Sequence, residues 1–132
     1  MKLLADTSAL VALAMRDDRN HRAAVEFLRQ HHGDRFVVTE LIVSEVTTRV
    51  RARTDAARAA GLARSLLESK RYEVFFVDAD LLRAGIARIE RFADKRLSLA
   101  DCVSFELMDR LRLPSAFTFD RDFRDCGFEM VP

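Results

Sequence analysis

The sequence predicts an α/β protein, a three-layer α/β/α sandwich around a short, mainly parallel central sheet. Two observations carry this. Short β-rich apolar runs alternate with segments whose apolar residues recur at helical spacing, the order that builds parallel sheets through helical crossovers. Acidic residues then recur just past the ends of the strand-like runs, where open parallel sheets hold their ligands.

Each element has its own signal. Lys2–Ala5 is a short apolar run ending at Asp6, and Thr7–Met15 then carries Ala, Leu and Val at helical density. Asn20–His32 continues as a helix with Ala24, Val25, Phe27 and Leu28 on one face and Gly33 as a stop signal. Phe36–Val38 reads as a strand, and from Glu40 to Arg53 the positions Leu41, Ile42, Val46 and Val50 recur as in a helix. Thr54 and Asp55 look like the cap of a further helix running to Lys70, although Gly61 in its middle costs about 1 kcal/mol relative to Ala. Tyr72–Val77 is the next strand, and Asp78 caps a helix over Ala79–Phe92. A helix over Ser98–Leu113, a strand over Ser115–Phe119, an acidic turn and a last strand over Phe128–Val131 complete the chain.

With 132 residues, the length suits one domain, residues 1–132. Hydrophobic residues at 49% and only four Gly and two Pro argue for a buried core and against disorder. The longest apolar run, Ala9–Met15, falls far short of the roughly 20 residues that span a membrane. Asp6 interrupts what would otherwise resemble a signal peptide, so residues 1–15 are expected to be mature structure. Cys102 and Cys126 are too few for a disulfide scaffold and lack zinc spacing, which points to a reducing, cytoplasmic setting. Lys plus Arg is 22 against 21 acids, so bulk charge does not draw the chain to nucleic acid.

Four acids stand at the positions that matter in such a sheet. Asp6 follows the first strand and Asp120 follows Ser115–Phe119; Glu45 lies one turn into an otherwise apolar helix stretch, and Asp101 in the first turn of a helix whose start should reach the same edge. Clustered carboxylates repel one another unless a cation sits among them, and hard divalent ions favour such oxygen donors. The cluster therefore predicts Mg²⁺ or Mn²⁺, able to polarise a phosphoryl oxygen and activate water for phosphodiester hydrolysis. No Ser-His-Asp or Cys-His set competes with this chemistry.

Simpler roles exist for each residue. Ser98 and Asp101 have the spacing of a capping box, Asp6 suits a helix N-terminus, and Asp120 and Asp122 suit a turn. Glu45 resists such a reading, because an unpaired carboxylate on a core-facing stretch is costly. His31 and His32 lack ligand spacing and read as partners of a helix C-terminus, His21 as a surface residue, and Cys102 as a small buried thiol. The ten Phe residues, among them Phe75, Phe76, Phe105 and Phe117, read as core.

The runs Leu3-Leu4-Ala5-Asp6-Thr7-Ser8-Ala9-Leu10, Thr39-Glu40-Leu41 to Ser44-Glu45-Val46, Leu97-Ser98-Leu99-Ala100-Asp101 and Thr118-Phe119-Asp120-Arg121-Asp122-Phe123 resemble the motifs of PIN-domain ribonucleases, and most of all those of VapC-type toxins of toxin–antitoxin pairs. The resemblance runs from Lys2 nearly to the C-terminus and keeps the motif order. It implies that Asp6, Glu45, Asp101 and Asp120 form a pocket for one or two Mg²⁺ or Mn²⁺ ions, with Asp6 and Asp101 the most direct ligands. Ser8 would orient Asp6, and Asp122 would be an accessory acid. Endonucleolytic cleavage of RNA, inhibition by a cognate antitoxin and a homodimer are implied with it. Phe119 departs from the small polar residue that many relatives carry before the last acid.

Charge distribution bears on an RNA substrate. Glu40–Arg71 holds seven Lys or Arg against four acids, whereas 100–132 holds four Arg against seven acids. Arg49 and Arg53, i and i+4 on the helix of Glu45, can grip phosphates; a solvated, salt-bridged face explains them equally well. Leu62, Leu66, Leu67 and Phe92 fit either a dimer interface or the monomer core. Two other classes share strand-end acids. A dehalogenase-like phosphatase would need a second Asp where Ser8 stands, and a phosphoacceptor receiver module would need an acid paired beside Asp6. A catalytically silent domain that binds RNA or a partner is the remaining alternative.

Overall fold

The computed structural model describes residues 1–132. Strands and helices follow in the order β1 (Lys2–Ala5), α1 (Thr7–Ala14), α2 (His21–Gln30), β2 (Arg35–Thr39), α3 (Glu40–Arg53), α4 (Ala56–Glu68), β3 (Tyr72–Phe75), α5 (Ala79–Arg91), α6 (Leu99–Leu111), β4 (Ser115–Phe117), α7 (Asp122–Asp125) and β5 (Glu129–Val131). The sheet has the order β3-β2-β1-β4-β5 and is parallel throughout. Leu3 stands opposite Phe36, and Leu4 opposite both Val37 and Ala116. The chain lays β1, β2 and β3 outward on one side, then returns to place β4 and β5 on the other. The reversal falls between β1 and β4, the topological switch point at which such sheets open a cleft.

α1 packs on α2 and α3, α3 packs on α4, and α5 packs on α6, giving helical layers on a three-layer α/β/α sandwich. The middle strands are covered on both faces: Leu3, Leu4, Phe36, Val37, Val38, Ala116 and Phe117 are all buried, which is why they read as unbroken apolar runs rather than as an alternation. Phe117 stacks on Phe27 at 4.6 Å and lies against Phe36. Phe105 meets Phe123 and Phe128 in a second aromatic group. α5 and α6 approach so closely at Gly85 that a Cβ there would lie 2.6 Å from Val103 Cγ2. Beside that contact the buried Arg88 pairs with Glu106 at 2.9 Å and Asp109 at 2.6 Å.

Several boundaries differ from the sequence reading, each for a hydrogen-bonding reason. β3 stops at Phe75 rather than Val77 because the Val77 N–H donates to both Glu40 carboxylate oxygens, at 2.9 Å each. β4 stops at Phe117 because the next free amides turn to side chains: Phe119 N–H donates to Ser8 Oγ and Asp120 N–H to Thr118 Oγ1. Thr54 closes α3, donating to the Val50 carbonyl, and Asp55 alone caps α4 by accepting from the Arg58 amide. Asp78 caps α5 through the Leu81 amide, as its position predicts.

Phe76, expected in the core, is 66% exposed, because it follows the last paired residue of β3 and points off the sheet. His21 is not a free surface residue either; it is half-buried and its Nδ1 lies 2.7 Å from the Ala12 carbonyl. His31 ends α2, stacks on Phe27 and pairs with Asp34 at 2.8 Å. Leu66 belongs to the core, whereas Leu67 is exposed. Both cysteines are free thiols, Cys102 fully buried. No helix is long and apolar enough to cross a membrane.

Candidate active site

β1 and β4 deliver the first two acids side by side. Asp6 leaves β1 and caps α1, its backbone N–H still tied to the Phe117 carbonyl of β4. Its Oδ2 accepts from Ser8 Oγ at 2.8 Å, Thr118 Oγ1 at 3.0 Å and the Ser8 amide at 3.3 Å, while Oδ1 carries none of these bonds. Asp120 is three residues past β4, and its Oδ1 accepts from the Asp122 amide, which starts α7 and fixes Asp122 beside it. α6 precedes β4 and brings its N-terminus to the same edge. Ser98 and Asp101 there form the reciprocal capping box that their spacing predicts, so the carboxylate is both a cap and a pocket wall. Glu45 comes from α3, where Thr7 Oγ1 donates to it at 2.8 Å.

Asp6, Glu45, Asp101, Asp120 and Asp122 line one cavity of about 260 Å³ that has no apolar lining residue and no His or Cys. Thr7, Ser8 and Ser98 supply hydroxyls, and Arg49 and Arg96 the cations. Carboxylate oxygens of Asp101, Asp120 and Asp122 lie within 4.8 Å of one another. Asp122, an accessory acid on the sequence reading, thus belongs to the tight trio. Asp6 lies outside it, 4% exposed and held from below by Ser8 and Thr118.

Three of the pocket acids, Asp6, Asp101 and Asp122, hold their protons more tightly than free carboxyls do. Burial pushes the Asp101 carboxyl up to about 6, with the charge of Asp6 adding to it and the Ser98 hydrogen bonds opposing it. Burial also raises Asp6, against the donors that converge on it, and raises Asp122, with Asp120 and Asp125 reinforcing the shift. An all-oxygen set whose members repel one another, with an uncommitted oxygen on the most buried acid, fits a hard divalent cation.

The two candidate phosphate-gripping arginines part company. Arg49 lines the acidic cavity; Arg53 pairs with Asp17 at 3.0 Å and lines a separate cavity of about 730 Å³ with Ala14, Arg16 and Arg58. Each i to i+4 step turns about 40° and climbs about 6 Å along the helix, which carries Arg53 out of reach of a pocket centred on Glu45. Phe119 does not line the pocket; it packs edge-on to Phe117 at 6.3 Å. Three residues of the site escaped the sequence reading: Thr7 and Arg96 line the cavity, and the buried Thr118 holds Asp6. Thr7 and Thr118 stand next to or two residues from a recognised acid, and that adjacency was the available signal; Arg96 had none, since it lies in the connection between α5 and α6.

The acidic cavity lies at the switch point of a parallel α/β/α sheet, the place where such folds bind their ligands. The chain belongs to the PIN domain family, whose family profile matches residues 3–129. Among solved structures it is similar to the VapC20 toxin of Mycobacterium tuberculosis, described as a sarcin–ricin loop cleaving toxin, at 25% identity and TM-score 0.88, covering 96% of this chain and 95% of that one. VapBC2 from Rickettsia felis, bound to a DNA fragment from its promoter, shares the fold at 11% identity and TM-score 0.67, covering 98% and 97%. No curated protein sequence matches the chain significantly.

Proposed function

We propose that this protein is a Mg²⁺- or Mn²⁺-dependent endoribonuclease, the toxin of a toxin–antitoxin pair, that hydrolyses RNA phosphodiesters in the acidic cavity. The observation that carries the reading is the convergence of five carboxylates in one wholly polar cavity at the sheet's switch point, in a PIN-family chain. The likeness to a toxin described as cleaving the sarcin–ricin loop supports RNA as substrate, and the likeness to a VapBC pair supports an antitoxin partner.

Asp6, Glu45, Asp101 and Asp120 are the proposed metal ligands, joined by Asp122. A divalent ion held there supplies Lewis-acid polarisation of the phosphoryl oxygen and lowers the pKa of attacking water. The protein's own groups prepare the site. Ser8 and Thr118 fix the Asp6 carboxylate, Thr7 fixes Glu45, and Ser98 fixes Asp101, so these three acids are oriented before substrate arrives. Ser8 also takes the Phe119 amide, which couples the β1 end to the β4 end and keeps Asp6 and Asp120 in register. A cavity of about 260 Å³ suits a single strand with splayed bases as its substrate.

The chain is proposed to work as a single domain over residues 1–132, in the cytoplasm, where its free thiols stay reduced, and as a homodimer, for which the exposed apolar Leu67, Phe76 and Ile86 offer surface. Incubating the protein with an RNA pool in Mg²⁺ or Mn²⁺, beside Asp101→Asn and an EDTA control, tests the activity. Cleavage is expected only in wild type with metal; cleavage that persists in Asp101→Asn and in EDTA removes the assignment.

A further inference from the structure

We propose that Arg96 is an RNA-binding residue, holding a backbone phosphate next to the one that is cut and acting with Arg49 from across the cleft. The proposal rests on the ribonuclease reading and adds a contact to the same site.

Arg49 and Arg96 are the only cations lining the acidic cavity, and both are exposed at its rim. They reach it from different elements. Arg49 belongs to α3, which follows β2, and Arg96 to the connection that leads into α6 and then β4, so the pair flanks β1 on its two sides. Neither forms an ion pair, although five carboxylates line the same cavity; Arg53, Arg58, Arg83 and Arg88 are each paired with an acid elsewhere. Two unpaired guanidinium groups over an acidic floor present the charge order an RNA strand needs: a floor for the cation and the scissile phosphate, and cations at the rim for its neighbours. Guanidinium groups suit this role because their fork matches two phosphate oxygens.

The backbone around Arg96 is built to hold it there. Leu97 is buried at 9% exposure and anchors the connection, and Ser98 begins the capping box of α6. The Cα of Arg96 is therefore fixed within two residues of an anchored helix start while its side chain is free to take a phosphate. Arg53, the expected partner of Arg49, is spent on Asp17.

The test measures binding of a fluorescently labelled single-stranded RNA by anisotropy, with Ca²⁺ present to hold the acids, at several salt concentrations. Arg96→Ala is compared with wild type, with Arg96→Lys and with Arg83→Ala, an exposed arginine already paired with Asp80. One lost phosphate contact should weaken affinity about fivefold at low salt and shrink the log–log salt slope by about 0.7. Arg96→Lys should keep the slope and lose part of the affinity, and Arg83→Ala should match wild type. In cleavage assays Arg96→Ala should raise KM and change kcat by less than about twofold, which a merely structural residue would not do. Affinity and slope in Arg96→Ala equal to wild type overturn the proposal, as does wild-type binding without salt dependence. Asp6→Asn, assayed for cleavage in Mn²⁺, separates the two readings. Cleavage surviving in Asp6→Asn defeats the ribonuclease site, whereas loss there with unaltered binding in Arg96→Ala defeats only the assignment of Arg96.

Discussion

Asp101→Asn should make the metal-free protein more stable at pH 7.5. Burial and the Asp6 charge lift the Asp101 carboxyl from 3.8 to about 6 in the folded state. Between those two values the folded chain holds a proton that the unfolded chain releases, so the favourable contribution is complete below the unfolded value and is lost as pH rises through 6. A shift of about 2 pKa units corresponds to roughly 3 kcal/mol, and partial solvation of the carboxylate reduces this to about 2 kcal/mol. Asn cannot ionise, yet its carbonyl oxygen can still accept the Ser98 amide that closes the capping box. The variant should therefore gain about 2 kcal/mol in EDTA at pH 7.5, roughly 5–10 °C in Tm for a domain of this size, and no more than about 0.5 kcal/mol near pH 4. Calorimetry of both proteins in EDTA at the two pH values measures it. Millimolar Mn²⁺ should reverse the order, since binding at one hundred times Kd stabilises wild type by about 2.7 kcal/mol, whereas a variant that binds about 100-fold more weakly gains only about 0.4 kcal/mol. An Asn variant less stable than wild type in EDTA at pH 7.5, or a difference that does not change with pH, refutes the reasoning.

Three further outcomes are expected. Ser8→Ala and Thr118→Val each remove a donor from Asp6 Oδ2 and should lower the cleavage rate or Mn²⁺ affinity about 10- to 100-fold with the fold retained; circular dichroism with metal titration checks both. Gly85→Ala should destabilise by about 1–2 kcal/mol despite the better helix propensity of Ala, because the new methyl collides with Val103; denaturant midpoints read this directly. Cys102, buried and with its thiol pushed up to about 11 by burial and then by Asp101, should resist alkylation at pH 8 until the protein unfolds.

Much of the fold was legible because local signals agreed with the global one. Lys2–Ala5 followed by Asp6, the Asp78 cap and the Ser98–Asp101 box each carry their own physical signature, and all appear where the sequence places them. The acids were legible for the same reason, since strand ends in a parallel sheet converge on one edge. Long-range hydrogen bonds left no local trace. Glu40 ends β3 from 37 residues away, and Thr118 reaches Asp6 across 112. Arg53 illustrates the opposite failure: its helical spacing from Arg49 is real, but the ion pair with Asp17 and the turn of α3 take it to another cavity. The near-zero net charge, which spoke against nucleic acid, averages over an acidic cavity and a basic rim that act at different places.

Single-turnover cleavage of one labelled RNA as a function of Mn²⁺ concentration, in wild type and Asp6→Asn, decides whether the acidic cavity is a metal-dependent ribonuclease site. The proposal predicts a rate that saturates with Mn²⁺ in wild type, vanishes in EDTA and falls at least about 100-fold in Asp6→Asn. Cleavage that ignores EDTA, or that Asp6→Asn performs at the wild-type rate, contradicts it.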